Sequence, residues 1–329
     1  MNTLRKEPGG AARAVSWAEV DEDAAEQRID NFLLRMLKGV PKSHIYRLLR
    51  TGQVRVNSQR VKATYRLQPG DRVRLPPVRT ATGQAPGQEL PRRTSARLSP
   101  RTLLEDEVVL AIDKPGGVAV HGGSGVSRGV IEQLRTERPE LRFLELVHRL
   151  DRDTSGVLLL AKKRSGLTGL HAQLRAGEMG KWYLVLVRGR WVEEERHVRL
   201  PLQKHLTPAG ERRVGVSREG QSAYTVFRRL RSFQGYTLLE AELRTGRTHQ
   251  IRVHLAHLGF PVAGDDKYGD FALNRQLRRM GLKRMFLHAA RVQFRHPVSN
   301  ATSTVEAPLP GELQAFLQTL GTALAATSA

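Results

Sequence analysis

The sequence predicts an α+β fold in two units: a small αβ module, a linker, and a larger domain built on a mixed β-sheet. Residues 27–75 hold two short helical periods followed by alternating strands. Residues 76–101, PPVRTATGQAPGQELPRRTSARLSPR, are rich in Pro, Gly, Ser and Arg and show no apolar period, which is linker composition. Beyond Leu103, apolar runs of strand length outnumber the helical periods, which favours a mixed sheet over a doubly wound one. The expected limits are a flexible start at 1–25, the small module at 26–76, the linker at 77–101, the large domain at 102–320 and a flexible tail at 321–329.

In chain order, Ile29, Phe32, Leu33, Met36 and Leu37 fall on one helical face. Gly39-Val40-Pro41 breaks that helix. Ser43 is placed to cap a second one carrying Ile45, Leu48 and Leu49, and Gly52 ends it. GQVRVNSQRVKATYRLQPGDRVRLP then alternates as short strands, with turns at Asn57-Ser58 and Pro69-Gly70-Asp71. The outer helix faces carry Arg28, Arg35, Lys38, Lys42, Arg47 and Arg50. In the larger domain, 107–113, 156–161, 181–189, 222–230 and 235–243 read as strands. Helical periods run through Leu167, Leu170 and Leu174, and through Leu313, Phe316, Leu317 and Leu320.

Charge narrows the function classes. Lys and Arg number 54 against 32 acids, a formal net charge of +22. A surplus of this size repels itself unless a polyanion relieves it, and nucleic acid is the common polyanion. The chain has no cysteine, which excludes disulfides, Fe–S clusters, thiol nucleophiles and Cys-based zinc sites. No run approaches the roughly 18 apolar residues of a transmembrane helix. The opening MNTLRKEPGGAARA has no apolar core of a signal peptide, and no long basic amphipathic helix suits a membrane surface. A cytoplasmic protein without membrane partners is expected.

The stretch ELVHRLDRDTSGVLLLAKK, residues 145–163, sets Asp151 and Asp153 among His148, Arg149 and Arg152, just before an apolar strand. Neighbouring guanidinium groups favour an ionised carboxylate, which suits a nucleophile or base better than a general acid. A loop held by a rigid strand is a common seat for reactive groups. On spacing alone, a structural Asp-Arg pair capping a turn is the simpler reading, and Asp153 reads as a turn or RNA-positioning residue. His249, His254 and His257 lack a usual zinc spacing and an obvious carboxylate partner, so no metal is expected. HGGSGVSRG lacks the phosphate-loop form and reads as a close-packed turn near an RNA backbone. Lys114-Pro115 reads as a structural turn after a strand.

Two resemblances sharpen these readings. RIDNFLLRMLKGVPKSHIYRLLRTGQVRVN with LQPGDRVRL resembles an S4 domain, a small RNA-binding module. HRLDRDTSGVLLLAK resembles the signature of the RluA branch of RNA pseudouridine synthases. DEVVLAIDKPGGVAVHGG (106–123), KWYLVLVRG, RTGRTHQIRVHLAHLGFPVAGDDKYG (244–269) and FLHAARVQFRHP (286–297) resemble further blocks of that family. The turn KPGGV departs from it, since the family usually carries a bulkier residue than glycine there. The resemblance spans about Gln27 to Leu317 and is strongest to the C-type members, which act on 23S rRNA.

The resemblance implies a catalytic set of Asp151, Tyr183 and Arg252. Asp151 would be the essential carboxylate, Tyr183 would pack on the uracil and assist loss of its C5 proton, and Arg252 would orient Asp151. Arg149 would fill the space left by a flipped uridine. His148, Arg152, Arg247 and His249 are further candidate RNA contacts, and Arg28, Lys42, Arg47 and Arg50 are those of the S4 module. The implied partner is 23S rRNA or a large-subunit assembly intermediate, with no cofactor, no metal and a monomeric chain. The competing class is a non-catalytic S4-containing RNA-binding or ribosome-assembly protein, which the intact Asp–Tyr–Arg set disfavours. A nuclease or glycosidase would want paired carboxylates or a metal cluster that the sequence lacks.

Overall fold

Strands β1 (Ser16–Glu19), β2 (Arg55–Val56) and β3 (Arg72–Leu75), with helices α1 (Ile29–Met36) and α2 (Lys42–Arg50), make up the first of two units into which the chain divides, 1–97 and 98–329. The computed structural model describes residues 15–21, 24–37, 39–78, 100–122, 129–207 and 210–327. The three strands form an antiparallel sheet in the order β1-β3-β2. Its core takes up most of the helical stripe expected from the sequence, with Ile29, Phe32, Leu33, Leu37, Ile45, Leu48 and Leu49 buried against Val54, Leu67 and Val73, whereas Met36, expected on the same face, is exposed at the end of α1. The expected flexible start is corrected at 16–19, which pair with 72–75. Four residues with no buried side chain carry too little pattern to announce a strand.

Helix α2 is preceded by Pro41 in an extended conformation, so Ser43 lies inside its first turn and is not the cap. Gly52 ends the helix with φ +70°, as expected. Asn57 and Ser58 both take left-handed φ at the hairpin turn. Asp71 ties the turn to the loop before β3, accepting from Asn57 Nδ2 at 2.7 Å, Tyr65 Oη at 3.1 Å and the Gln68 amide at 2.9 Å. This side-chain network organises 59–71, where alternating strands were expected.

The second unit opens with β4 (Arg101–Glu105), β5 (Val109–Lys114), α3 (Val130–Glu137), β6 (Glu145–Leu146), β7 (Ser155–Ala161), α4 (Arg164–Ala176) and β8 (Gly180–Arg188). Strands β9 (Glu195–Arg199), β10 (Leu202–Leu206), β11 (Arg212–Val216), β12 (Tyr224–Phe233) and β13 (Tyr236–Leu243) follow. The chain closes with α5 (Gln250–His257), α6 (Phe271–Arg279), β14 (Leu287–Arg295), β15 (Thr302–Glu306) and α7 (Gly311–Thr327). One ten-stranded sheet runs β4-β5-β7-β14-β8-β13-β12-β9, with β15 beside β14 and β6 beside β7. The β14–β7 pairing is parallel and its other pairings are antiparallel, so the sheet is mixed, as predicted.

The linker limit moves, because β4 begins at Arg101 and pairs with β5. The expected flexible tail is helical backbone through Thr327, as part of α7. Residues 79–99 of the linker and 123–128 of HGGSGVSRG lie outside the described residues.

Strand β7 is buried along its whole length. Leu158 and Leu160 pack into one core while Val157 and Leu159 pack into another. A strand covered on both faces reads as a continuous apolar run, and such a strand is a rigid base for the loop that precedes it. The Ser-Gly step at its start has a specific cause. Gly156 takes φ +107° opposite Ala289, and a Cβ there would lie 2.1 Å from the Ala289 carbonyl oxygen.

Candidate active site

Asp151 stands in the loop between β6 and β7, and three neighbours fix that loop. Lys114, fully buried at the end of β5, donates to the carbonyls of Pro115 at 2.8 Å, Val118 at 2.8 Å and Arg152 at 3.0 Å. Burial pushes its ammonium down to about 7, with the charges of Asp153 and Asp151 pulling the other way. Arg284 donates to the Asp153 carbonyl at 3.2 Å and to Ser155 Oγ at 2.9 Å. His288 Nε2 faces the Ala307 carbonyl at 3.1 Å and so carries the hydrogen, leaving Nδ1 to accept from Ser155 Oγ at 2.9 Å. Lys114 is thus more than part of a turn: it fastens the turn after β5 to the loop bearing Asp151.

Arg252 projects from α5 between two carboxylates. Its Nη1 donates to Asp151 Oδ2 at 2.9 Å, and its Nε and Nη2 fork onto Asp265 at 2.7 and 2.8 Å. Burial opposes the charge on Arg252, but the hydrogen bonds and charges of Asp265 and Asp151 outweigh it and hold the guanidinium above its ordinary value. The side chain of Asp265 is wholly buried. Its desolvation is overcome by Arg252 and by the amides of Lys267 and Tyr268, so its carboxyl lies below the usual range. A fully paired fork of this kind fixes the guanidinium plane, and with it the carboxylate of Asp151.

His249 stands at the N-cap of α5 with φ +54°. Its Nδ1 lies 2.8 Å from Tyr268 Oη and its Nε2 lies 3.8 Å from Asp151 Oδ1. Burial pushes the imidazole below its ordinary value, partly offset by the Asp151 charge. Arg252 also lies over the Tyr268 ring, 5.0 Å from its centroid.

Tyr183 lies on β8, buried, and lines a cavity of about 710 Å³ together with Asp151, Arg252, His249 and Lys181. Burial, then the Asp151 charge, push its phenol above the ordinary value. Among the described residues lining this cavity, Asp151 is the only carboxylate. A second cavity of about 660 Å³ shares Arg149, Leu150, Asp151, His249 and Arg252 with the first and adds Arg152, Lys267, Lys283 and Arg284. The catalytic set expected from the sequence, Asp151, Tyr183 and Arg252, therefore lines a single cavity.

The remaining candidates differ in availability. Arg149 is exposed and lines both cavities. Arg152 is exposed, 3.7 Å from the Asp153 carboxylate. Arg247 is exposed, with Nε donating to the Ser222 carbonyl at 3.0 Å. His148 turns inward, accepting from the Leu159 amide on Nε2 at 3.2 Å. Burial and then the Lys181 charge push its imidazole down to about 4, so the ring is neutral. His254 is buried between Leu200 and Thr225, turned away from His249 and its Tyr268 contact. In the first unit, Lys42, Arg47 and Arg50 lie exposed on α2, whereas Arg28 is bound to Asp30 through two hydrogen bonds of 3.2 and 2.6 Å.

Asp265, Tyr268 and Lys181 were not singled out from the sequence. Asp265 sits 13 residues beyond Arg252 across a turn, and no periodicity links the two. A carboxylate next to the glycine of AGDDKYG in a basic chain was the available signal.

The chain is similar to known proteins over most of its length. Residues 108–257 match the RNA pseudouridylate synthase family and residues 27–73 match the S4 domain. The chain is 53% identical over 301 residues to ribosomal large subunit pseudouridine synthase C of Yersinia pestis, covering 92% of this chain and 94% of that protein. It is 52% identical over 309 residues to the protein of the same name in Escherichia coli (strain K12), covering 93% and 97%. The fold is shared with human RNA pseudouridylate synthase domain containing 4, at a TM-score of 0.54 and 24% identity over 67% of this chain and 92% of that one. With half of its residues shared across more than nine-tenths of its length, the chain belongs to the RNA pseudouridine synthases, isomerases of uridine, and carries an S4 domain ahead of the catalytic unit.

Proposed function

We propose that this protein converts uridine to pseudouridine at several positions of 23S rRNA, free or in a large-subunit assembly intermediate, in the cytoplasm. The observation that carries the reading is the chain Asp265–Arg252–Asp151, which ends at the cavity holding Tyr183. The names of the relatives support the large-subunit substrate.

The isomerisation breaks the N1–C1′ bond and makes a C5–C1′ bond. A proton leaves C5 and one arrives at N1, so no electrons are gained or lost. Asp151 has two routes. As a nucleophile it bonds to C1′ while the N1–C1′ pair departs with the uracil. C5 of the turned uracil then attacks C1′ and releases the carboxylate. As a base it takes the 2′ hydrogen as the N1–C1′ bond breaks, and returns it when C5 adds to the resulting glycal. Either route needs a carboxylate held in place, which is the role of Arg252, with Asp265 positioning Arg252 from behind.

Tyr183 offers its ring face to the uracil. Its raised phenol stays protonated at neutral pH, so it serves as a proton relay rather than as a free phenolate. Flipping the uridine costs a few kcal/mol of stacking and pairing, which Arg149 offsets by entering the vacated space. The test is incubation of a 23S transcript with the purified chain, followed by carbodiimide-dependent reverse-transcription mapping. New stops at discrete uridines are expected, and an unchanged transcript would overturn the proposal.

A further inference from the structure

Lys181 lines the cavity that holds Asp151. It lies on β8 two residues before Tyr183, and it is 93% buried, since only 7% of its surface is exposed. Burial alone lowers its ammonium from the ordinary value. Among the described residues its Nζ has no hydrogen-bond or ion-pair partner, which sets it apart from the fully buried Lys114 with its three carbonyls. It is directed at the loop after β13, because a Cβ placed on Gly246 would lie 3.7 Å from Nζ.

The ammonium ends a largely buried side chain that lines the cavity, and charges in such places are as a rule paired, so an anion entering the cavity can complete it. Asp151, the one carboxylate among the described residues lining the cavity, is already engaged by Arg252. An anion that enters with the substrate can supply the partner. Uracil has only neutral carbonyls to offer, whereas the nucleotide backbone brings a full negative charge. Residues two apart on a strand point the same way and stand about 7 Å apart. That spacing suits a base on Tyr183 and a phosphate of the same nucleotide on Lys181.

We propose that Lys181 binds a phosphodiester flanking the flipped uridine, and so positions its sugar over Asp151. This inference rests on the pseudouridine synthase reading above. Anchoring the backbone beside the reacting sugar restrains C1′ while the uracil turns, which is where orientation has most to contribute.

The test uses a synthetic 23S stem–loop with one [5-³H]uridine at a mapped target, made with normal linkages or with a neutral methylphosphonate 5′ or 3′ of that uridine. Tritium release is followed for the wild type, Lys181→Met and Lys181→Arg. Lys181→Met is expected to lower kcat/KM roughly 10- to 100-fold, the range for losing a hydrogen bond to a charged group, and Lys181→Arg to recover most of it. One methylphosphonate position should cost the wild type a similar factor and cost Lys181→Met nothing further. A purely structural lysine would instead give losses that multiply, with no methylphosphonate position masked by the variant, and that result would overturn the proposal. Loss of the folded thermal transition in Lys181→Met with wild-type kinetics in Lys181→Arg and no methylphosphonate effect would overturn it too. No release even by the wild type on normal linkages would instead remove the isomerase reading, and this inference with it.

Discussion

Arg252 is the residue on which the candidate site turns. It joins Asp151, partly open to the cavity, to Asp265, which is wholly buried. The two carboxylates differ in access: the Asp265 side chain is wholly buried behind Arg252, while Asp151 keeps an edge open to the cavity. Truncation should expose this division. Arg252→Met leaves the Asp265 charge unpaired in the interior, and breaking a buried pair from one side typically costs about 3–5 kcal/mol. Urea unfolding of the variant should show a loss of that size together with loss of tritium release. A variant as stable as the wild type would mean that Asp265 is held by the Lys267 and Tyr268 amides alone.

Strand β7 and helix α2 carry the element-scale consequences. Gly156→Ala places a methyl against the Ala289 carbonyl and forces an L-residue to φ +107°. Strain and overpacking together predict a loss of roughly 3 kcal/mol or more, read as a lower urea midpoint with an unchanged slope. On α2, replacing Lys42, Arg47 and Arg50 with Gln should weaken binding of 23S transcript without changing the rate of the bound complex. The slope of log K against log salt should fall by roughly 0.7–0.9 for each phosphate that is no longer neutralised. An unchanged slope would move the S4 contacts to another face.

These elements also mark how far sequence reasoning reached. Strands β5, β7, β8, β12 and β13 were legible because runs such as GVLLLA are apolar on both faces, and α1 and α2 because their stripes are largely regular, but β14, between β7 and β8, was not read as a strand. Strands β1, β4, β9, β10, β11 and β15 were not, being four or five residues long with at most one buried side chain each. Asp151, Tyr183 and Arg252 came from a resemblance in motif, not from spacing, which alone allowed a capped turn. The Asp265 fork and the bare ammonium of Lys181 depend on chain crossings, which leave no local period to read.

At the scale of the molecule, burial shapes the response to pH. His148, His249, His254 and His288 all lie below their ordinary value, in each case chiefly through burial. Below about pH 6.5 the unfolded chain therefore binds protons that the folded chain refuses, so stability falls as pH falls. For His148 the window runs from about 6.5 to about 4 and is worth of the order of 3 kcal/mol. Thermal unfolding from pH 7.5 to 4.5 should show the midpoint dropping, and His148→Gln should flatten the slope; a flat wild-type profile would contradict the buried, neutral histidines. The net charge of +22 points to a polyanion, and the paired carboxylate points to work on it. The most direct test of that combination is tritium release from [5-³H]uridine-labelled 23S transcript by the wild type and by Asp151→Asn, with RNA binding measured for both. Release by the wild type, none by the variant and equal binding are predicted. Release by Asp151→Asn at the wild-type rate would contradict the account, because the site would then be doing its chemistry without the carboxylate that Arg252 and Asp265 hold in place.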